Sequence, residues 1–248
     1  MKNNIRWEFL FGIGLIIIAA VLHFLHYLVF GEVSPLLSFL GKKIAFVPLE
    51  VLFITLVFHK LLTMHERGMI KKKMNMLAGS FFSEAGHDLL EILSKNAVMN
   101  PAQAELVMVH KDWSKKDFDR AARTVEHLDI KMNTDITSLA SLKEKLCEKR
   151  QYLMLVLGNP NLQEHESFSD MLWAIMHLTD ELSRRKQIES LPQSDIKHLS
   201  NDAKRAYLRL LGQWFQYLSH LKKMYPYLYS YEIRTNPFDP ERNVIIDQ

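Results

Sequence analysis

One cysteine in 248 residues, Cys147, leaves no intramolecular disulfide framework and no zinc site built on cysteine pairs. A lone thiol fits a reducing compartment, and we expect it to serve packing. The few glycines are scattered. No P-loop, dinucleotide fingerprint, G-x-S-x-G elbow or Cys/His zinc pattern occurs. Charge of one sign is also missing: beyond residue 63 there are 26 basic and 25 acidic residues. A body so close to neutral carries no footprint for a phosphate backbone, which excludes nucleic acid as a partner. Strand-length alternation of apolar and polar residues is absent before residue 225.

What the chain has instead is two long apolar runs near its start. Trp7 to Phe30 gives about 24 residues, enough at about 1.5 Å per residue to cross a hydrocarbon core of about 30 Å. No small-x-small cleavage site follows and a second run comes at once, so this is a retained span rather than a signal peptide. Gly12 and Gly14 would permit close approach of a neighbouring helix. The second span covers about 44–62 and passes into TMHERGMIKKK. Residues 31–43 between them suit a short interfacial helix, with Ser34 as N-cap and Pro35 at its first position. Basic residues precede span one and follow span two, where Arg67, Lys71, Lys72 and Lys73 sit at the interface. By the positive-inside rule both termini are expected in the cytoplasm of a cytoplasmic-membrane protein.

Glu50 is the ionisable residue inside span two. Counted from the outer ends of the two spans, its depth matches that of His23 and His26 in span one, and the three are expected to form an intramembrane polar group. Pro48 suits the start of the regular helix.

From residue 64 the composition becomes that of a globular helical chain, opening on a membrane-proximal neck helix with a kink expected at Gly68, Gly79 or Gly86. Asn100-Pro101 supplies an N-cap and first-turn proline, and Ser114-x-x-Asp117 a capping box. A helix over about 138–157 stops at Gly158-Asn159-Pro160, Ser167-x-x-Asp170 opens another, and Ser194 opens the longest, ending near Met224. The organisation is therefore a two-helix transmembrane anchor over 1–63, a cytosolic α-helical bundle over 64–224 and a tail over 225–248, all-α throughout.

LGNPNLQEHESFSDMLWAIMHLTDEL, DIKHLSNDAKRAY and YPYLYSYEIRTNPFD resemble a group of uncharacterised prokaryotic membrane proteins with an N-terminal span pair. The likeness covers the last 100 residues or so and the span-and-neck layout. It implies the architecture and transfers no activity or site residue.

Several constellations could carry chemistry. Glu166, Asp170, His177 and Glu181 fall on one stripe of a helix, and Glu84-x-x-His87 has the spacing used by di-metal bundles, with Asp195-x-x-His198 a looser second. Together they offer ligands for a metal, set against the plainer reading of a solvated, mutually paired face. No cofactor is predicted. His87-Asp88 matches half of an HD-type phosphohydrolase dyad, but the further ligands that chemistry requires cannot be nominated.

Tyr225, Tyr227, Tyr229 and Tyr231 alternate with Pro226, Leu228 and Ser230, an extended period that would set four rings on one side. Such a tail would strap down over its own bundle or dock onto another protein. Asn236-Pro237 and Asp239-Pro240 suit turns, and Val244-Ile245-Ile246 an exposed apolar end. The expected function is that of a membrane-anchored scaffold, interaction or sensing protein, homo-oligomeric. An oligomeric ion or proton conduit and a membrane-tethered metal-dependent enzyme stand as alternatives.

Overall fold

The computed structural model describes residues 2–30 and 35–245; the side chains of 2–9, 11, 23, 30, 35–38, 40, 67, 71, 163 and 164 are not described. Ser34, Ile246 and the side chains of His23, Arg67 and Lys71 therefore lie outside the described residues. The elements in order are α1 (Lys2–Phe30), α2 (Pro35–Phe81), a π-helical turn (Phe82–Gly86), α3 (His87–Ser94), β1 (Ala97–Val98), α4 (Pro101–Val107) and α5 (Lys115–Val125). There follow β2 (Lys131–Met132), α6 (Ile136–Leu157), a 3-10 turn (Pro160–Glu164), α7 (Glu166–Arg184), α8 (Gln193–Met224) and α9 (Pro226–Arg234). Among the described residues the protein is all-α apart from the two-residue antiparallel bridge of β1 with β2. It divides into two compact units, Met1–Met69 and Ile70–Gln248, with the division inside α2.

In the first unit α1 and the leading part of α2 run antiparallel. Leu52 lies opposite Gly12, 3.6 Å from where a Cβ would stand, and the His26 ring covers Gly41 so closely that any side chain there would strike it. Gly14 faces open space. Ala19 and Ala45 are buried while the large apolar residues around them are exposed. Small residues thus make the helix contact and bulky ones face outward. Both helices are long and apolar enough to cross a membrane, with mean hydropathy 2.2 over Gly12–Val29.

Two expectations fail here. The 31–43 segment is not a separate interfacial helix, because α2 already runs from Pro35 and carries Pro48 inside it. That earlier start moves the register. With Leu52 opposite Gly12 and Gly41 opposite His26, Glu50 stands at the Gly12 end, about 13 Å along α2 from the His26 level. Glu50 is exposed on the outside of the hairpin, so the expected group of Glu50 with His26 is not formed.

The second unit is organised around α8, whose Leu199, Ala203, Tyr207, Leu210, Trp214 and Leu218 are all fully buried. That stripe follows the helical period, and α8 contacts α5, α7 and α9. Local caps set the boundaries. Asn100 accepts from the Gln103 N–H while the Gln103 side chain accepts from Asn100, and Ser114 forms the corresponding box with Asp117. Asp135 caps α6, which starts at Ile136 rather than about 138, and α7 opens at Glu166 rather than after Ser167.

The neck helix passes through Gly68 and Gly79 without interruption; the irregularity is the π turn ending at Gly86. A Cβ at Gly86 would lie 2.6 Å from Phe82 Cδ1 and 2.8 Å from Phe81 Cε1, two rings with almost no exposure. Glycine is there because these rings occupy the space a side chain would need.

The extended tyrosine tail is also corrected: Pro226 to Arg234 is a helix, with proline at its first position. Residues four apart share a helix face. Tyr229 turns inward, only 5% exposed, while Tyr225 at 38%, Tyr227 at 70% and Tyr231 at 47% stay exposed. Tyr229 donates its hydroxyl to the His110 carbonyl at 3.1 Å and sets its ring edge-on to Phe118. Burial pushes its phenol pKa up to about 12. After α9 the chain turns twice on Asn236 and Asp239, each side chain accepting from the N–H two residues on. Phe238 returns to Trp214, and Val244 and Ile245 end exposed.

Candidate functional site

Two features of the second unit bring chemistry-bearing side chains together. The first is a polar ladder between α7 and α8. Asp170 pairs with Arg209 at 3.3 Å, His177 with Asp202 at 3.4 Å, Glu181 meets His198 at 3.7 Å, and Arg185 grips Asp195 through two nitrogens at 2.7 Å each. Each rung steps down one helix and up the other, as antiparallel neighbours require. Asp202 is 2% exposed and shared: His177 and His198 approach one oxygen, and Arg205 the other at 3.1 Å. Arg185 also donates to the Glu181 carboxylate and carbonyl at 2.6 Å each. The guanidinium pulls the Asp195 and Glu181 carboxyls below their ordinary range.

The second feature is a groove of about 760 Å³ walled by α2, the π turn, α3, α8 and α9. Its floor is apolar and aromatic. Phe82 and Tyr217 stack with centroids 4.8 Å apart and planes 12° from parallel, and Met76, Leu221, Met224 and Leu228 extend the surface. At one wall His87 Nδ1 faces the Glu232 carboxylate at 3.5 Å, both side chains mostly buried. The Glu232 carboxylate, accepting from the His87 ring, raises the His87 pKa against the opposing effect of burial. Burial, with Glu232 adding, raises the Tyr217 phenol. Size, apolar lining and a few convergent polar groups are the properties of a small-molecule site.

Both units match one family. Residues 2–62 match the helical domain described as "MJ1433, N-terminal helical domain", and residues 70–234 that described as "Uncharacterized protein MJ1433, C-terminal helical domain". The chain belongs to the MJ1433 family. The uncharacterised protein MJ1433 of Methanocaldococcus jannaschii is 38% identical over 246 residues, covering 99% of this chain and 98% of the relative. No solved structure matches the chain. The resemblance read from the sequence is thus a family relationship along the whole MJ1433-type chain.

Within this MJ1433-family structure the six residues nominated for a metal are not gathered. Glu84 pairs with Lys149 of α6 at 3.0 Å and His87 turns to Glu232 of α9, because the wider π turn separates them. Asp170, His177 and Glu181 stay on one stripe of α7 but are matched rung by rung to α8. Glu166 opens that helix. Among the described residues no group of three or more His, Cys, Asp and Glu is placed to hold a metal ion. Asp195 goes to Arg185, and His198 pairs instead with Asp202 four residues on. Glu232, Asp202 and Arg185 escaped the sequence reading. For Asp202 the signal was present, an i,i+4 spacing from His198 on the longest helix.

Proposed function

We propose that this chain is a membrane-anchored helical sensor that works as a homo-oligomer, its first unit spanning the cytoplasmic membrane and its second lying in the cytosol with both termini. What supports the anchor is the outward face of α1 and α2, where Phe24, Phe53 and Phe58 are each more than 60% exposed. In water such a surface is an aggregation hazard; in lipid it is required. Arg67, Lys71, Lys72 and Lys73 lie beyond the second span in sequence, with Lys60 at its trailing end, and favour a cytosolic second unit.

The observation that carries the oligomer is Glu50, exposed among Val47, Val51, Phe53 and Ile54. A carboxyl facing lipid is costly and needs a polar partner. At its level α1 offers glycine, leucine, isoleucine and alanine. The group at equal depth that can answer it is Glu50 of a second copy, carboxyl against carboxyl across a symmetry axis.

Three measurements test the reading together. The protein stays with membranes through alkaline carbonate extraction. Cys147, which is exposed, reacts with an impermeant maleimide in lysed cells and not in intact ones. Mass measurement in mild detergent gives an oligomer that Glu50→Gln retains, since an amide still pairs with its copy, and that Glu50→Leu weakens. A soluble protein, labelling of Cys147 in intact cells, or a monomer would each overturn the corresponding part.

A further inference from the structure

We propose that the groove between α2, α8 and α9 binds a single-chain amphiphile with an anionic head. This deepens the sensing part of the reading above and does not use the anchor.

The charges facing the groove decide the head. Five acidic or basic side chains line it: Lys72 from α2, His87 and Asp88 from α3, His220 from α8 and Glu232 from α9. His87 and Glu232 neutralise each other. Asp88 feels Lys149 on α6 only after that lysine has paired with Glu84 and Glu148, so its negative charge stays at the α3 end of the groove. His220 sets its ring edge-on to Tyr225 at 5.8 Å. Lys72 forms no ion pair among the described residues. The α2 end of the groove is therefore positive, with Asp88 at the α3 end.

The lining decides the tail. Lys72, Asn75, Met76 and Gly79 share one face of α2 by helical spacing, and all border the groove with Ser83 of the π turn. Along that face a cation and an amide give way to a glycine and then to the Phe82 and Tyr217 stack, about 15 Å on. Gly79 keeps the middle open: its missing Cβ would stand 3.9 Å from Tyr217 Cε2, ordinary contact, so a larger side chain would fill the passage. A carboxylate or phosphate monoester at Lys72 and Asn75, with its chain laid over Met76, Gly79 and the rings, matches both halves.

The test uses the full chain in phosphatidylcholine nanodiscs and palmitate carrying a photoactivatable diazirine, with labelled peptides mapped by mass spectrometry. Label is expected on peptides bearing groove residues of α2 and of α8 or α9. Gly79→Leu should remove that label and leave labelling of the 10–62 peptides unchanged, while Gly79→Ala keeps it. Lys72→Gln should lower groove labelling by palmitate about tenfold and leave labelling by the matching diazirine alcohol unchanged. Affinity should rise roughly two- to fourfold per added methylene until the groove is filled. Label from a diazirine lysophosphatidic acid held in the disc would assign the source to the bilayer, and label from free palmitate alone to a soluble fatty acid. Label confined to the 10–62 peptides, indifferent to Gly79→Leu, or equal for acid and alcohol would overturn the proposal. The carbonate extraction separately judges the anchor.

Discussion

At the scale of single residues, the π turn and the His87 pair are the places where small changes should register. Gly86→Ala puts a methyl group into space held by Phe81 and Phe82, both almost fully buried. Overpacking of this kind costs about 1–3 kcal/mol, more than the helix propensity gained. The thermal midpoint of the second unit should fall by several degrees, whereas Gly79→Ala, with no contact nearer than 3.9 Å, should not lower it. His87 sets an alkaline limit. Its pKa is raised above the ordinary 6.5 by Glu232, so the stabilisation is complete below 6.5 and is lost as pH rises through the folded value. Carboxylates held low act in the opposite sense: Glu91 by Arg242, and Glu181 and Asp195 by Arg185, contribute above their ordinary range and lose that contribution on acidification. Melting temperature against pH should therefore show a plateau between these limits. His87→Gln should remove the alkaline decline and leave the acid one, a comparison that a wild-type decline persisting in the variant would defeat.

At the scale of elements, what the sequence made legible was whatever neighbours within four residues decide. Asn100 with Gln103 and Ser114 with Asp117 are local reciprocal caps, and both helices begin where those residues stand. The apolar stripe of α8 was equally plain, because burial follows the helical period. The failures are those where a distant group won. Tyrosine alternation over 225–231 reads as extended until Tyr229 finds Phe118 and the His110 carbonyl, more than a hundred residues away in sequence. The π turn answers to rings packed on distant partners, Phe82 stacked on Tyr217 and Phe81 edge-on to Phe168, not to any local motif. The acid and histidine stripe of α7 was visible, but its partners on α8 were not, so a ladder looked like a ligand set. The ladder's lowest rung is its strongest. Arg185 at the end of α7 holds Asp195 at the start of α8 by parallel bonds, and its carbonyl accepts from Lys143 at 2.6 Å. Lysine keeps the charge but not the fork. Arg185→Lys should cost about 1–2 kcal/mol and loosen the 185–193 connection first, which hydrogen exchange resolved by peptide would detect as faster exchange there than in α5.

At the scale of the whole molecule, the two units answer to different solvents. The first hides its small residues and exposes its bulky ones, the reverse of a water-soluble core. The second buries a continuous cluster whose earliest member in sequence is Met74, followed by Phe81 and Phe82. No residue before Ile70 belongs to that unit, and the family's C-terminal helical domain likewise starts at residue 70. The boundary lies inside α2, so a cut there exposes a helix end rather than a core. Helix ends fray within about a turn, and Met74 stands beyond that distance. A fragment of 70–248 should therefore remain soluble without detergent, keep its helical signal and unfold in one cooperative transition, with the Gly86→Ala and Arg185→Lys shifts preserved. The 1–69 piece should need detergent or lipid to stay in solution. Aggregation of the 70–248 fragment, or a broad non-cooperative melt, would mean that the second unit's core depends on residues before Ile70.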